Sequence, residues 1–335
     1  MTPPLVSVLL PARDAAATIA SALASVRRQT LTAWECIVVD DASRDETAAV
    51  AAAAAGRDAR IRVVPGRGAG IAAALQAGLA ACRGRWVARM DADDVMHRER
   101  LARQVAALEA DPSLAAVGAR VRIFPRAGLR DGWRAYERWL DSIDTPERVR
   151  AEAFVENPLV HPTLCARREV LERFGWRACG WPEDYDLVLR MLAAGLRLAV
   201  VPARLLAWRD GPARLTRAHP DYALERITAC KAHHLARGLL AGTDRYVLWG
   251  YGDTGRALRQ ALAAEGKRPS HVIELHPGRL GQTIHGAPVV PPEALVALPR
   301  GPLVASVAGL EARTRIRAFL DRLGWRETAE YVCAA

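Results

Sequence analysis

The sequence predicts an α/β protein, with a mostly parallel sheet flanked by helices and a smaller α/β unit after it in the chain. Strand-like apolar runs alternate with helical patterns from the start of the chain, and the alternation begins again after Gly242. The chain has 335 residues, of which 51% are hydrophobic and 25% are charged. This length suffices for two buried cores, and the composition excludes a disordered chain and a bundle of membrane helices.

The first unit begins with strands and helices in alternation. Each apolar run ends at a proline or an aspartate, and the stretches between the runs carry helical spacing. The predicted strands are Val6 to Leu10, Cys36 to Val39, Ile61 to Val64 and Trp86 to Met90. The predicted helices are Thr18 to Gln29, the stretch from the glycine turn at residues 66–70 to Cys82, and Arg98 to Leu108. This alternation predicts a parallel sheet, whose ligands lie beyond the carboxyl ends of its strands.

The alternation breaks from about Arg120 to Pro162, where the chain is rich in tryptophan and arginine. Trp133, Tyr136 and Trp139 recur there at helical spacing, which predicts a helix that packs on the core. The later helical patterns run from Pro182 to Ala194 and from Tyr222 to Ala236.

A second strand-helix-strand pattern starts at Tyr246 to Trp249. It continues through Gly250, Gly252 and Gly255 into a helix that reaches Ala264 and a strand from His271 to Leu275. We therefore expect two domains, residues 1–240 and 243–335, joined by a short linker.

The charge of the chain favours anionic partners. Forty-seven basic residues against 37 acidic ones give a net charge of +10, and Lys231 and Lys267 are the only lysines. Arginine suits nucleoside diphosphates or an acidic membrane surface, and no zinc finger or RNA-binding aromatic motif points to nucleic acid. Because no secretion signal and no membrane-spanning stretch is visible, we expect a cytoplasmic protein. Peripheral association with the inner face of a membrane remains open.

The acidic cluster of Asp91, Asp93 and Asp94 is the sharpest chemical feature. Carboxylates this close repel one another, and they repel a phosphate, unless a hard divalent cation lies between them. The cluster therefore predicts a site for Mg²⁺ or Mn²⁺. The alternative is that Asp94 only caps the helix that follows.

Several segments, in this order and spacing, resemble the inverting glycosyltransferases of family two, which have the GT-A fold. They are Val6 to Pro11, Val38 to Asp45, Ala88 to Asp94, Arg100 to Gln104, Asn157 to Thr163 and Trp181 to Asp186. The resemblance reaches about residue 235. It departs at Ala12, Arg13 and Asp14, where the family usually has an aromatic residue and then asparagine, and at His97, where proline is frequent.

The resemblance implies a donor site at the ends of the first strands. Pro11, Ala12 and Arg13 would line the nucleotide base, and Asp40 would accept a hydrogen bond from the base imide, as in a UDP-linked donor. Asp40 as a turn-forming residue is the alternative.

The resemblance also assigns the acidic cluster. Asp91 would approach the ribose or the metal, Asp93 would be the principal metal ligand, and Asp94 would assist it. His219 resembles a metal-ligand histidine near the carboxyl end of GT-A enzymes, and His161 is expected to shape the acceptor site.

Asp184 is the candidate general base, with Glu183 beside it at the start of a helix. A sugar hydroxyl is a poor nucleophile and must lose its proton as it attacks the anomeric carbon. The alternative is that both carboxylates only stabilise the positive end of the helix. The candidates for holding the diphosphate are Arg67, Arg89, Arg209, Arg214 and Arg217.

We therefore expect metal-dependent transfer of a sugar from a UDP-linked donor to a hydroxyl of a glycan or a lipid-linked acceptor. The glycine motif at residues 250–255, with Glu274 after it, leaves an NAD(P)-dependent oxidoreductase as an alternative. A non-catalytic protein that binds nucleotide sugars is another. Because Leu280 to Val290 resembles small Rossmann-like modules of sugar-modifying enzymes, we expect the second unit to be an accessory domain.

Overall fold

A computed structural model describes residues 3–211, 214, 217 and 219–335. The chain forms two compact units. The first unit comprises Met1–Val149, Pro158–Cys179 and Glu183–Arg214, and the second comprises Arg150–Asn157, Gly180–Pro182 and Leu215–Ala335.

The first unit is built on a mostly parallel sheet, which confirms the predicted fold class. Its strands are β1 Val6–Ala12, β2 Trp34–Asp40, β3 Ile61–Pro65, β4 Trp86–Arg89, β5 Val95–Met96, β6 Leu114–Phe124, β7 Cys165–Arg167 and β8 Arg197–Arg209. Within the described residues their order is β3-β2-β1-β4-β7-β6-β8-β5. The pairs β1 with β2, β1 with β4, β2 with β3 and β6 with β8 are parallel.

Helices flank this sheet. They are α1 Ile19–Arg27, α2 Thr47–Arg57, α3 Ile71–Ala81, α4 Arg100–Ala110, α5 Asp131–Asp141, α6 Pro146–Glu152, α7 Arg168–Phe174 and α8 Glu183–Ala193. The apolar faces of α1 and α4 pack on a core that includes Leu10, Trp86 and Met90. As expected, the aromatic residues of α5 also pack against this core.

The site lies where three neighbouring strands end. Ala12 at the end of β1 pairs in register with Asp40 at the end of β2, and Leu9 of β1 pairs with Arg89 at the end of β4. Because these strands are parallel, the residues that follow each of them leave the sheet at one edge. The loops that start at Arg13, at Asp41 and at residue 90 therefore share that edge.

The structure corrects three boundaries. The loss of strand-helix alternation expected from about Arg120 begins after Phe124, where β6 ends. The helix expected from Arg98 begins at Arg100. The strand expected at His271 to Leu275 is Arg268–Ile273, and Leu275 is 75% exposed.

The second unit has its own sheet. In the described part of the chain its order is β11-β12-β10-β9-β13-β14. The strands are β9 Arg245–Trp249, β10 Arg268–Ile273, β11 Thr283–Ile284, β12 Ala287–Val290, β13 Leu303–Ala305 and β14 Tyr331–Cys333. The helices are α9 Leu224–Arg237, α10 Asp253–Ala264 and α11 Leu310–Arg322. Every strand pair except β11 with β12 is parallel.

Helix α9 packs with residues that come after the predicted linker. Leu235 of α9 shares a buried cluster with Leu248 of β9 and Leu258 of α10. This packing favours grouping the helix with the second unit, and the division at residues 240–243 stays a prediction.

Across the described residues, no helix combines the length and the apolar character needed to cross a membrane.

Candidate active site

Three carboxylates converge in the loop after β4. One oxygen from each of Asp91, Asp93 and Asp94 lies within 4.8 Å of the others. Burial and the charge of Asp91 raise the pKa of Asp93, and burial with the charges of Asp91 and Asp93 raises the pKa of Asp94 well above its ordinary value. Hard oxygen ligands at this spacing fit a divalent cation, whose charge would relieve the repulsion. The residues therefore fit the Mg²⁺ or Mn²⁺ expected from the sequence.

Asp94 is fixed to strand β8. Its Oδ1 accepts a hydrogen bond from the backbone N of Arg209 at 2.7 Å, and its buried Oδ2 has no hydrogen-bond partner among the described residues. The Nε of Arg209 donates to the backbone O of Asp93 at 2.8 Å. The next helix has Glu99 at its N-cap, so the alternative that Asp94 caps this helix is wrong.

A buried arginine stands beside the cluster. Nη1 of Arg89 lies 2.5 Å from Oδ1 of Asp91, and the Arg89 side chain is 4% exposed. Burial opposes its charge, but the charges of Asp91, Glu183 and Asp94 outweigh burial and raise the pKa of Arg89. The sequence made Arg89 a candidate for holding a diphosphate. In the structure its positive charge compensates the negative charges of the carboxylates around it. The sequence pattern carries no signal for this pairing.

The loop after β2 holds the glycine turn. The carboxylate of Asp41 accepts hydrogen bonds from the backbone N of Gly68 at 2.8 Å and of Gly70 at 3.1 Å. Sequence reasoning missed this role of Asp41, although an acidic residue before a glycine-rich turn is a usable signal. Arg67, in the same turn, is exposed.

Asp40 keeps an unused acceptor. Its Oδ1 is buried and has no hydrogen-bond partner in the described residues, and its backbone O accepts from the backbone N of Gly66 at 2.7 Å. Pro11 and Ala12 are buried in β1, and Arg13 is exposed with Nη1 3.9 Å from Oδ2 of Asp41. A buried acceptor without a donor fits a ligand that supplies one.

The start of α8 carries the candidate base. Asp184 is half-buried, and its Oδ1 accepts from the backbone N of Tyr185 at 2.8 Å. Glu183 is buried, with Oε1 3.6 Å from Nδ1 of His161. Nε2 of His161 accepts from the indole N–H of Trp176 at 2.8 Å, so the ring proton is on Nδ1 and faces Glu183. Burial and the charge of Arg89 hold the pKa of His161 well below its ordinary value.

The remaining predicted residues lie on both units. Arg214, in the first unit, places Cζ 4.0 Å from the ring centroid of Trp208. Arg217 and His219 belong to the second unit and are exposed, and Nδ1 of His219 accepts from the backbone N of Asp221 at 3.3 Å. The assignment of His219 as a metal ligand stays a prediction.

Comparison with known proteins assigns the family. The sequence profile of the family described as "Glycosyl transferase family 2" matches residues 7–175. The chain belongs to glycosyl transferase family 2. The family membership that the sequence motifs predict is thereby confirmed.

Two relatives of this chain are named for the biosynthesis of O-antigen and of amylovoran. The O-antigen biosynthesis protein RfbC of Myxococcus xanthus is 32% identical over 70% of this chain, which spans 18% of the relative. The amylovoran biosynthesis glycosyltransferase AmsE of Erwinia amylovora is 30% identical over 56% of this chain and 69% of its own length.

Two solved structures share the fold of this chain. S. aureus TarS 1-349 in complex with UDP-GlcNAc has a TM-score of 0.57 at 17% identity, with 77% of this chain and 71% of that chain covered. The mannosyltransferase PcManGT from Pyrobaculum calidifontis, in complex with GDP-Man and Mn²⁺, has a TM-score of 0.55 at 18% identity. The match covers 98% of this chain and 83% of that chain. These likenesses confirm the GT-A fold.

At two glycines in the second unit, close packing leaves no room for a side chain. Gly250 has a φ of 94°, and a side chain there would meet Val307, while a Cβ on Gly255 would strike the carbonyl of Gly250. A Cβ on Gly252 would meet nothing within 4 Å. Oε1 of Glu274 accepts from the backbone N of Tyr251 at 2.6 Å. A tight strand-to-helix turn accounts for the first and third glycines and for this carboxylate.

Proposed function

We propose that this family 2 glycosyltransferase moves a sugar from a UDP-linked donor to a hydroxyl of a glycan or a lipid-linked acceptor, with inversion at the anomeric carbon. The observation that carries the proposal is the convergence of Asp91, Asp93 and Asp94 at the carboxyl edge of the sheet, with carboxylate oxygens within 4.8 Å of one another. A diphosphate could not approach these three charges without a cation.

The three carboxylates would hold Mg²⁺ or Mn²⁺, with Asp93 as the principal ligand. When bound, the ion neutralises the diphosphate leaving group. Arg89 compensates the charge of Asp91 from the buried side, so the cation does not have to balance the whole cluster. The Mn²⁺ named for the mannosyltransferase complex supports this assignment.

Asp40 would recognise the nucleotide base. Its buried Oδ1 needs a donor, and the imide N–H of uracil supplies one. Guanine also presents a ring N–H, and the two solved structures hold a UDP-sugar and a GDP-sugar respectively. The resemblance of the motifs favours uracil, so a test must include both nucleotides.

Asp184 would act as the general base. It takes the proton from the acceptor hydroxyl while that oxygen bonds to the anomeric carbon, and the bond from this carbon to the UDP oxygen breaks. A single displacement of this kind inverts the anomeric centre. Glu183 is buried beside His161 and within the field of Arg89, so it would position the helix rather than take the proton.

The acceptor and the location of the protein are proposed more broadly. The names of the two relatives support a growing glycan as the acceptor, and a lipid-linked precursor is the alternative. The net charge of +10 would favour peripheral association with the inner, acidic face of a membrane. A cytoplasmic location agrees with a nucleotide-sugar donor.

A thermal-shift panel tests the proposal. The full chain is heated with UDP, GDP or NAD, each with and without Mn²⁺, because a ligand that binds only the folded state raises the Tm. We expect the largest rise with UDP and Mn²⁺ together. A larger rise with GDP would overturn the base assignment, a rise with NAD alone would favour an oxidoreductase, and no rise with any nucleotide would overturn the proposal.

A further inference from the structure

Trp208 lies beneath a guanidinium group near the acidic loop. Cζ of Arg214 is 4.0 Å from the ring centroid of Trp208 and 5.6 Å from that of Trp133. The negative face of an indole attracts a cation, and the attraction grows as water is excluded. The two rings therefore favour one position for the charge of Arg214.

The ring of Trp208 is itself held in place. It is 8% exposed, it lies opposite Ile123 of β6, and its centroid is 6.0 Å from that of Trp133 in a T-shaped contact. The next residue, Arg209, donates its backbone N to Asp94 at 2.7 Å. Trp208 is thus a fixed surface whose position is tied to the acidic loop.

Arg214 has hydrogen-bonding capacity that the described residues do not use. Its Nη1 is buried without a partner among them, although buried donors are nearly always paired. Arg214 stacks on Trp208, and the backbone N of the next residue, Arg209, donates to Asp94, so the geometry places Arg214 near the cluster. A cation with an unused donor beside a metal-binding loop fits an anion that contacts both.

We propose that Trp208 is a positioning residue that holds Arg214 against the β-phosphate of the donor. As the bond between the anomeric carbon and the β-phosphate oxygen breaks, negative charge develops on that oxygen, and the guanidinium group stabilises it. Arg67 and Arg217, which were equal candidates from the sequence, are exposed. The inference rests on the proposed function, because it requires a nucleoside diphosphate.

The test compares two nucleotides that differ by one phosphate. Calorimetry with Mn²⁺ measures the affinity for UDP and for UMP in the full-length wild type, in Trp208→Met, in Arg214→Ala and in the double variant. We expect each single variant to bind UDP about tenfold more weakly and UMP nearly unchanged, with no further loss in the double variant. Trp208→Phe keeps an aromatic face and should restore most of the UDP affinity.

The controls separate a positioning role from a structural one. Cζ of Arg60 lies 3.7 Å from the ring centroid of Trp34, the first residue of β2. Trp34→Met therefore removes a similar pair away from the site and should leave the ratio of UDP to UMP affinity unchanged. An equal loss of UDP and UMP affinity in Trp208→Met, or additive losses in the double variant, would overturn the proposal.

Three further outcomes are decisive. If Trp208→Met does not fold, Trp133→Met decides, and unchanged UDP affinity in that variant would overturn the role of the aromatic pair. If the wild type binds neither UDP nor GDP with Mn²⁺, the proposed function fails together with this inference. If the wild type binds UDP and every variant binds it with the same affinity, this inference fails and the proposed function stands.

Discussion

Nη1 of the buried Arg89 and Oδ1 of the half-buried Asp91 form an ion pair at 2.5 Å, directly beside the two other carboxylates of the acidic loop. Arg89 is also within the electrostatic field of Glu183 on α8. One buried cation therefore compensates charge both in the candidate metal site and at the start of the helix that carries Asp184. The stability of the first unit should depend on it.

Replacement of Arg89 by methionine should destabilise the protein strongly. Arg89→Met leaves Asp91 and Glu183 without their buried counter-charge, and the free energy of unfolding should fall by about 3–5 kcal/mol. Urea denaturation measures this change. Arg103→Met, which removes the exposed pair with Glu99, is the matched control and should have little effect. Equal midpoints for the two variants would show that Arg89 has no special role.

Asp184→Asn should separate binding from turnover. The amide keeps the size of the side chain but cannot take a proton, so sugar transfer should fall by about 10² or more while the affinity for UDP and Mn²⁺ stays near that of the wild type. Glu183→Gln is the comparison, since Glu183 is buried with Oε1 3.6 Å from Nδ1 of His161. Full transfer activity in Asp184→Asn would show that Asp184 is not the general base and only stabilises the start of α8.

The sequence predicts the location of the site better than its internal contacts. Asp91 to Asp94 could be placed at the sheet edge because an apolar run ends directly before them, and this placement needs only local pattern. The contacts of Asp94 with Arg209 and of Gly68 with Asp41 join residues 115 and 27 positions apart. No local pattern encodes such pairs, because they depend on how the strands are ordered.

Strands β7 and β8 were missed for a similar reason. Strand β7 has three residues and lies between β4 and β6, so its burial comes from its neighbours rather than from its own composition. Strand β8 carries Arg204 and Arg209 among apolar residues, and its pairing with β6 shifts register within the strand. Propensity gives little signal in either case.

The stability of the fold should fall in mild acid through His161. This ring is neutral in the folded state, because its pKa lies well below the ordinary value of 6.5, but it takes up a proton in the unfolded chain. The unfolded state therefore binds more protons below about pH 6.5, and the free energy of unfolding should fall by up to about 1.4 kcal/mol per pH unit as the pH decreases.

Urea denaturation at pH 7.5, 6.5 and 5.5 measures this dependence. His161→Gln removes the titrating group but keeps an acceptor for the N–H of Trp176. The variant should therefore show a flatter dependence on pH than the wild type, whatever its stability at pH 7.5. Identical slopes for the two proteins would contradict the assignment of a neutral, buried His161.

The three glycines of the second unit should differ in their response to alanine. Gly250→Ala and Gly255→Ala should lower the Tm, because the added methyl group strikes Val307 in one case and the carbonyl of Gly250 in the other. Gly252→Ala meets open space and should leave the Tm nearly unchanged. Calorimetry with NAD is the second measurement, and binding that Gly252→Ala abolishes would identify a dinucleotide site instead of a tight turn.

The central claim is that the acidic loop binds the donor through a divalent cation. Calorimetry of UDP binding to the wild type and to Asp93→Asn, each with Mn²⁺ and with EDTA, tests it most directly. The amide keeps the shape of the side chain but loses the charge that holds the ion. We predict UDP binding by the wild type with Mn²⁺ only, and a loss of at least about tenfold in affinity in Asp93→Asn. Equal affinity of the two proteins for UDP in Mn²⁺, or UDP binding by the wild type that EDTA leaves unchanged, would contradict the claim.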